Sequence, residues 1–240
     1  MPDHDKLDIL AIAAHPDDIE ITGGGFMIKM AEMGRRTGVL DLTRGEMGTL
    51  GDENDRAVEA AAAAKLMGLA FRDNLTLPDS AVEFSRENKL KIAEVIRRTT
   101  PELVVLPHWE QRHPDHSVCS RLGYDACFLA GLRKLDLEGE PFRPRKIIYV
   151  SYFRNADFSF LVDISAQFEK KCEVVAAYKS QFANRVTARH VFQPGIKVHD
   201  LMRVRAAQLG QLVGVQYAEA FTVREQMLVD DPQKLPVRSI

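Results

Sequence analysis

The chain has 240 residues, enough for one sizeable α/β core. Hydrophobic residues make up 45% and charged residues 28%, an ordinary globular composition, and a formal net charge of −2 gives no electrostatic ground for a nucleic-acid partner or an anionic membrane. No apolar run approaches the roughly 20 residues that span a bilayer, the first six residues are polar, not signal-like, and Cys119, Cys127 and Cys172 lack CxxC spacing, which predicts reduced thiols and a cytoplasmic location.

In chain order, Leu7 to Ala13 is a nearly continuous apolar run, the pattern of a buried parallel strand. A polar turn, Gly23-Gly24-Gly25 and a helix through Met33 follow, closed by Gly34. Residues 37–42 read as a second strand, 54–67 as an alanine-rich helix closed by Gly68, and 70–75 as a short strand. A charged amphipathic helix over 85–98 stops before Pro101. Then come a strand at 102–106, a helix over 116–132, strands at 146–150 and 160–164, and helices over 165–179 and 199–212.

Strands alternating with helices predict a Rossmann-like α/β fold, a mostly parallel sheet with helices on both faces. Right-handed crossovers place every strand-to-helix loop at one edge, where ligands of such sheets bind. No linker interrupts the chain. A single domain over 1–240 is expected, with residues 230–240, which include Pro232 and Pro236, as a loose or partner-docked tail.

Two clusters follow strands directly: His15-Pro16-Asp17-Asp18 after the first, and His113-Pro114-Asp115-His116 after the strand at 102–106. In a parallel sheet these loops can meet. Imidazole and carboxylate suit zinc, and a catalytic zinc takes three protein ligands and keeps one position open. Two ligands from one loop and one from the other would build such a site. A spare carboxylate beside them can act as base, and a non-ligating protonated histidine as donor to an oxyanion. The plainer reading of the first cluster alone is an aspartate helix cap. A structural zinc is disfavoured because such sites are usually closed by four cysteine-rich ligands. A nucleotide-binding Rossmann module is the rival from another class, but the chain has no G-x-G-x-x-G in the first turn.

These motifs resemble the two signatures of the LmbE-like, or PIG-L, deacetylases, and the resemblance spans nearly the whole chain. It includes Leu42-Thr43-Arg44-Gly45-Glu46, Arg56, Tyr178 to Phe182 and Gly214 to Phe221. The resemblance implies a Zn2+-dependent hydrolase that removes acetyl from a small N-acetylglucosamine derivative. The branch most similar acts on N-acetylglucosaminyl malate in bacillithiol biosynthesis; a mycothiol precursor or a chitobiose is the alternative substrate. It implies His15, Asp18 and His116 as metal ligands, Asp17 as general base, and His113, in its charged form, as oxyanion stabiliser. Asp115 would orient His113 or another imidazole, and Arg56 and Arg145 would contact the sugar. A homo-oligomer is also implied. Some relatives carry a tyrosine two positions before the second motif. Gln111 stands there, which leaves a second oxyanion donor unspecified.

The remaining features have plainer readings. The glycine triplet suits close packing of the first helix under the metal loop. Glu46 either holds Arg56 or braces its loop. Cys119 reads as a buried thiol, Trp109 as a packed aromatic or a sugar-stacking wall, and His4, His108, His190 and His199 as surface or packing residues.

Overall fold

The computed structural model describes residues 5–151, 157–182 and 197–237. Seven strands form one sheet: β1 (Ile9–Ala13), β2 (Thr37–Thr43), β3 (Phe71–Leu77), β4 (Leu103–Pro107), β5 (Lys146–Val150), β6 (Phe160–Asp163) and β7 (Ala218–Thr222). The helices are α1 (Asp18–Glu32), α2 (Glu53–Met67), α3 (Arg86–Thr99), α4 (Pro114–Ala130), α5 (Phe168–Ala176), α6 (Lys179–Phe182) and α7 (Val198–Val213). Local chemistry sets their ends. Asp52 and Asp55 form a reciprocal capping box at the start of α2, and Gly68, at φ 74°, ends it in the left-handed region. Ser85 caps α3 through the Asn88 amide.

The sheet order is β3-β2-β1-β4-β5-β7-β6. Strands β1 to β5 are parallel, and the expected Rossmann-like α/β fold holds. Strand β7 is antiparallel to both neighbours and was not foreseen as a strand. Alternate side chains of each central strand face opposite layers, as period two requires. Leu10, Ile12, Leu40 and Val104 pack with Ile92, Ile96 and Leu122 of α3 and α4. Ile9, Ala11, Val39 and Val105 pack with Met27, Ala63 and Val174 of α1, α2 and α5.

This order positions the site. From β1 the chain crosses to β2 on one side, and from β4 it crosses to β5 on the other. The loops after β1 and β4 therefore diverge and leave a crevice at the carboxyl ends of adjacent strands.

The closing segment adds a brace. The Gly25 and Phe26 amides, in the middle of α1, donate to the Glu219 carboxylate of β7 at 2.9 and 2.7 Å, and Lys171 of α5 donates to it at 2.6 Å. A Cβ on Gly25 would come within 2.7 Å of Ile164 and 3.0 Å of the Glu219 carboxylate, so the close approach requires glycine there. The triplet thus packs against the far edge of the sheet, beyond the helix start that the sequence suggested. His190 and most of the 183–198 stretch lie outside the described residues.

Candidate metal centre and active site

The loop after β1 turns at Asp17, whose backbone sits at φ 105°, a conformation that costs a non-glycine residue about 1–3 kcal/mol. Asp17 precedes α1 but makes no side-chain cap bond, so the plain helix-cap reading fails. The strained turn sends consecutive side chains different ways. Asp17 goes to Arg56, 3.1 Å away, and Asp18 goes to the histidines.

His15 Nδ1 and His116 Nε2 lie 3.3 Å apart. The Asp18 carboxylate stands between them, Oδ2 at 3.3 Å from His15 Nδ1 and Oδ1 at 3.1 Å from His116 Nε2. The 3.3 Å between the two imidazole nitrogens matches the edge of a tetrahedron, about 3.3 Å long for metal bonds of ~2.0–2.1 Å, with one oxygen of Asp18 beside each nitrogen. Asp18 is itself fixed by the His15 amide, which donates to Oδ2 at 2.9 Å.

The other side of His15 faces two more carboxylates. Nε2 lies 3.1 Å from Asp79 Oδ1 and 3.5 Å from Asp115 Oδ2, without a well-aligned hydrogen bond to either. Burial alone would lower the His15 pKa; Asp18, Asp115 and Asp79 override it and push it up to about 12. The cluster thus demands a cation, and a metal satisfies that demand as the proton does. The donor set fits a divalent ion of zinc type held by His15, Asp18 and His116. A grouping of His15, His113 and His116 also lies within metal-binding distance. However, His113 Nδ1 accepts the Asp115 amide at 3.2 Å as the cap of α4.

Asp17 is nearly inaccessible. Burial raises its carboxyl pKa, Arg56 opposes, and Asp18 and Glu20 push further, to about 7. Burial also tends to raise Asp18, but the charges of His116 and His15 hold it well below the usual carboxylate range. Adjacent carboxyl groups are thereby driven apart, the arrangement that separates an acid–base group from a ligand. Behind them, Glu20 accepts from Arg72 at 2.6 Å and from Tyr178 at 2.7 Å, and Arg72 also grips Asp41.

The structure brings seven of the eight expected site residues to this crevice or its walls, and two expectations need correction. Arg145 is exposed at the start of β5, and strand starts lie at the edge opposite the site, so it does not reach a sugar there. His113 is not set up to be charged. Its Nδ1 accepts the Asp115 amide, and burial with the nearby His15 and His116 charges lowers its pKa. The Asp115 carboxylate takes the Ser80 amide at 2.7 Å and faces His15; its backbone, not its side chain, meets His113.

Asp79 was missed altogether. It follows β3, receives the Met47 amide at 2.9 Å, and donates its own amide to Glu46 at 2.9 Å, so Glu46 braces the loop, not Arg56. Arg56 lies flat on Gly45, where a Cβ would come within 2.6 Å of the guanidinium. Gln111 has a buried amide nitrogen without a partner among the described residues. Cys119 is buried with its sulfur 3.8 Å from the Ile12 carbonyl, and Trp109 is packed on His108 and Tyr149.

The sequence profile of the PIG-L family, GlcNAc-PI de-N-acetylase, matches residues 10–127, which hold both motifs. The chain is 30% identical to the diacetylchitobiose deacetylase of Thermococcus kodakarensis, over 91% of this chain and 83% of that one. The chain belongs to the PIG-L family. Members of this family are metal-dependent N-acetyl-aminosugar deacetylases, so the protein is an enzyme, an amide hydrolase. Among solved structures, the conserved protein TT1542 of Thermus thermophilus is 40% identical, with a TM-score of 0.85 over 93% of this chain and 97% of that one. The N,N'-diacetylchitobiose deacetylase of Pyrococcus horikoshii, crystallised with an inhibitor, is 25% identical, with a TM-score of 0.77 over 89% and 82%.

Proposed function

We propose that this chain is a zinc-dependent deacetylase of a small N-acetylglucosaminide. The observation that carries the reading is the convergence of His15 Nδ1, His116 Nε2 and the Asp18 carboxylate within 3.1–3.3 Å of one another, beside a separate carboxyl group poised near neutrality. When bound, the ion supplies Lewis acidity toward the acyl oxygen and lowers the pKa of a water to near ~7.

The chain's own residues then divide the work. Asp17 accepts a proton from the attacking water as the new carbon–oxygen bond forms. Arg56 holds that carboxylate in place. The Nε2–H of His113 donates to the oxyanion that develops on the acyl oxygen. As the carbon–nitrogen bond breaks, Asp17 returns the proton to the leaving nitrogen, and acetate and the free amine depart. A carboxyl group with a pKa of about 7 can serve in both directions. Asp79 and Asp115 hold His15 so that Nδ1 faces the metal position, the carboxylate–histidine–metal arrangement.

For the substrate, N-acetylglucosaminyl malate is the first choice, resting on the resemblance to the bacillithiol branch. Diacetylchitobiose is the second, favoured by the extended match to a diacetylchitobiose deacetylase. Acetate release measured across N-acetylglucosaminyl malate, N-acetylglucosamine and diacetylchitobiose separates them. Loss of release on chelation, with recovery on adding back zinc, is the expected companion result. A protein that binds no metal and releases no acetate from any of the three would refute the reading.

A further inference from the structure

Asp18 reaches the two histidines from the first residue of α1, so its carboxylate sits where that helix puts it. The stretch Gly23-Gly24-Gly25 gives α1 no side chains to interlock with its neighbours. An added Cβ would meet Val150 at 3.4 Å from Gly23 and Lys171 at 3.6 Å from Gly24, ordinary contact distances, so the bare backbone leaves slack at both. At Gly25 the packing is tight instead, against Ile164 and the Glu219 carboxylate, which takes the Gly25 and Phe26 amides.

Amides inside a helix are ordinarily served by the carbonyl four residues back, so a carboxylate is not required there. Nor is the buried pair of Glu219 and Lys171, each 4% exposed, a strong source of stability, because desolvation offsets its attraction. The best-attested use of such a group is to fix register. The grip is also well placed for that. Gly25 follows Asp18 by seven residues, about two turns, which puts it on the same face of α1 roughly 10 Å along the axis. Near the start of the helix, Arg72 and Tyr178 hold Glu20, so two carboxylates clamp α1.

We propose that Glu219 is a positioning residue of the metal centre: through the Gly25 and Phe26 amides it sets the placement of α1, and thereby of the Asp18 carboxylate between His15 and His116. The inference rests on the metal-dependent deacetylase reading above and adds to it a residue of β7, remote in the chain from both motifs. A misplacement of about 1 Å arising far from the chemistry can cost ~10²-fold in rate, so a small slide of α1 is enough.

The test replaces the buried pair by apolar side chains of similar size, Glu219→Leu with Lys171→Met, which should melt close to the wild type. Cobalt(II), which takes zinc sites, is titrated into the metal-free protein and followed by its visible absorption. Acetate release is measured on the substrate that the wild type prefers. Cobalt affinity is expected to fall about 10- to 100-fold with an altered absorption band, and kcat by a similar factor with KM within about threefold. Glu219→Gln, which keeps the shape and one acceptor, should lose a few fold in both, and it decides the matter if the double variant does not fold. A merely structural brace would lower the melting temperature and leave the cobalt affinity, the absorption band and the kcat of the folded protein unchanged. That result in the deciding variant overturns the inference. Cobalt binding is read without substrate, so a wild type that binds cobalt yet releases no acetate overturns the deacetylase reading and leaves this inference to be decided by affinity.

Discussion

The two ends of the strands make opposite impressions. At the amino ends of β4 and β5 lies a roomy cavity, about 1170 Å³, bordered by Arg143, Arg145, Lys146, Tyr124 and Phe128. At the carboxyl ends of β1 and β4 there is little open space, yet His15, Asp17, Asp18, Asp79, Asp115 and His116 crowd together there. Two of the basic groups at the roomy end are satisfied locally: Lys89 pairs with Asp125, and Arg143 donates to the Phe128 carbonyl. At the crowded end, neighbouring carboxylates push His15 up against its burial, and burial with like charge pushes Asp17 up. Volume is therefore a poor guide to chemistry in this molecule. Mutual perturbation among converging polar groups is the better one.

The comparison can be broken most forcefully at the ligands. Asp18→Ala is expected to reduce bound metal from about one ion per chain to near none and acetate release to background, checked by elemental analysis alongside the assay. Asp17→Asn should keep its metal and lose about 10²–10⁴-fold in kcat. The wild-type kcat/KM should fall on the acid side with a midpoint at or below about 7, since a bound cation can only draw the Asp17 pKa downward, and that limb should vanish in the variant.

The same residue makes a stability prediction. Its folded pKa is raised from 3.8 to about 7, so between these values the metal-free folded chain holds a proton that the unfolded chain has released. The stability contributed by Asp17 therefore declines as pH rises from about 4 to about 7. Metal-free Asp17→Asn should melt above the wild type at pH 8, and the gap should close toward pH 4. Asp79→Asn is next in size, at about 10- to 100-fold in metal affinity or activity, because His15 loses the partner that orients it. The smallest effect sharpens the contrast between the two ends: Arg145→Ala should leave kcat and KM within about twofold, as befits an exposed side chain at the far edge.

Much of this was legible in the residues. The runs at 7–13, 102–106 and 146–150 are apolar on both faces because parallel strands are covered twice, and each falls within a residue or two of its observed strand. The two motifs were legible because each lies in the loop that follows such a strand. Strand β7 was not, since Ala218-Glu219-Ala220-Phe221-Thr222 sets a charge in its middle. Only the folded chain shows that Glu219 meets two helix amides and a lysine there. Asp79 was hidden for another reason. A single acidic residue after Pro78 has no telling spacing, and its meeting with His15 is set by β3 lying beside β2. The error at Arg145 was avoidable, because a residue that precedes a parallel strand starts at the edge away from the ligand. The Tyr178–Phe182 stretch, part of the family resemblance, braces the scaffold: Tyr178 meets Glu20, Ser180 meets Glu59 and Gln181 meets the Leu50 carbonyl.

The grip of Glu219 on α1 has a consequence in time. It joins residues 194 and 193 positions apart in the chain. During synthesis, which proceeds at about 5–20 residues per second, β1, α1 and both motifs emerge long before this partner does. The helix that begins at Asp18 thus waits, with two of its central amides lacking this acceptor, until β7 leaves the ribosome and closes the sheet. The reactive loops are early in the chain, but their final setting is among the last events of folding.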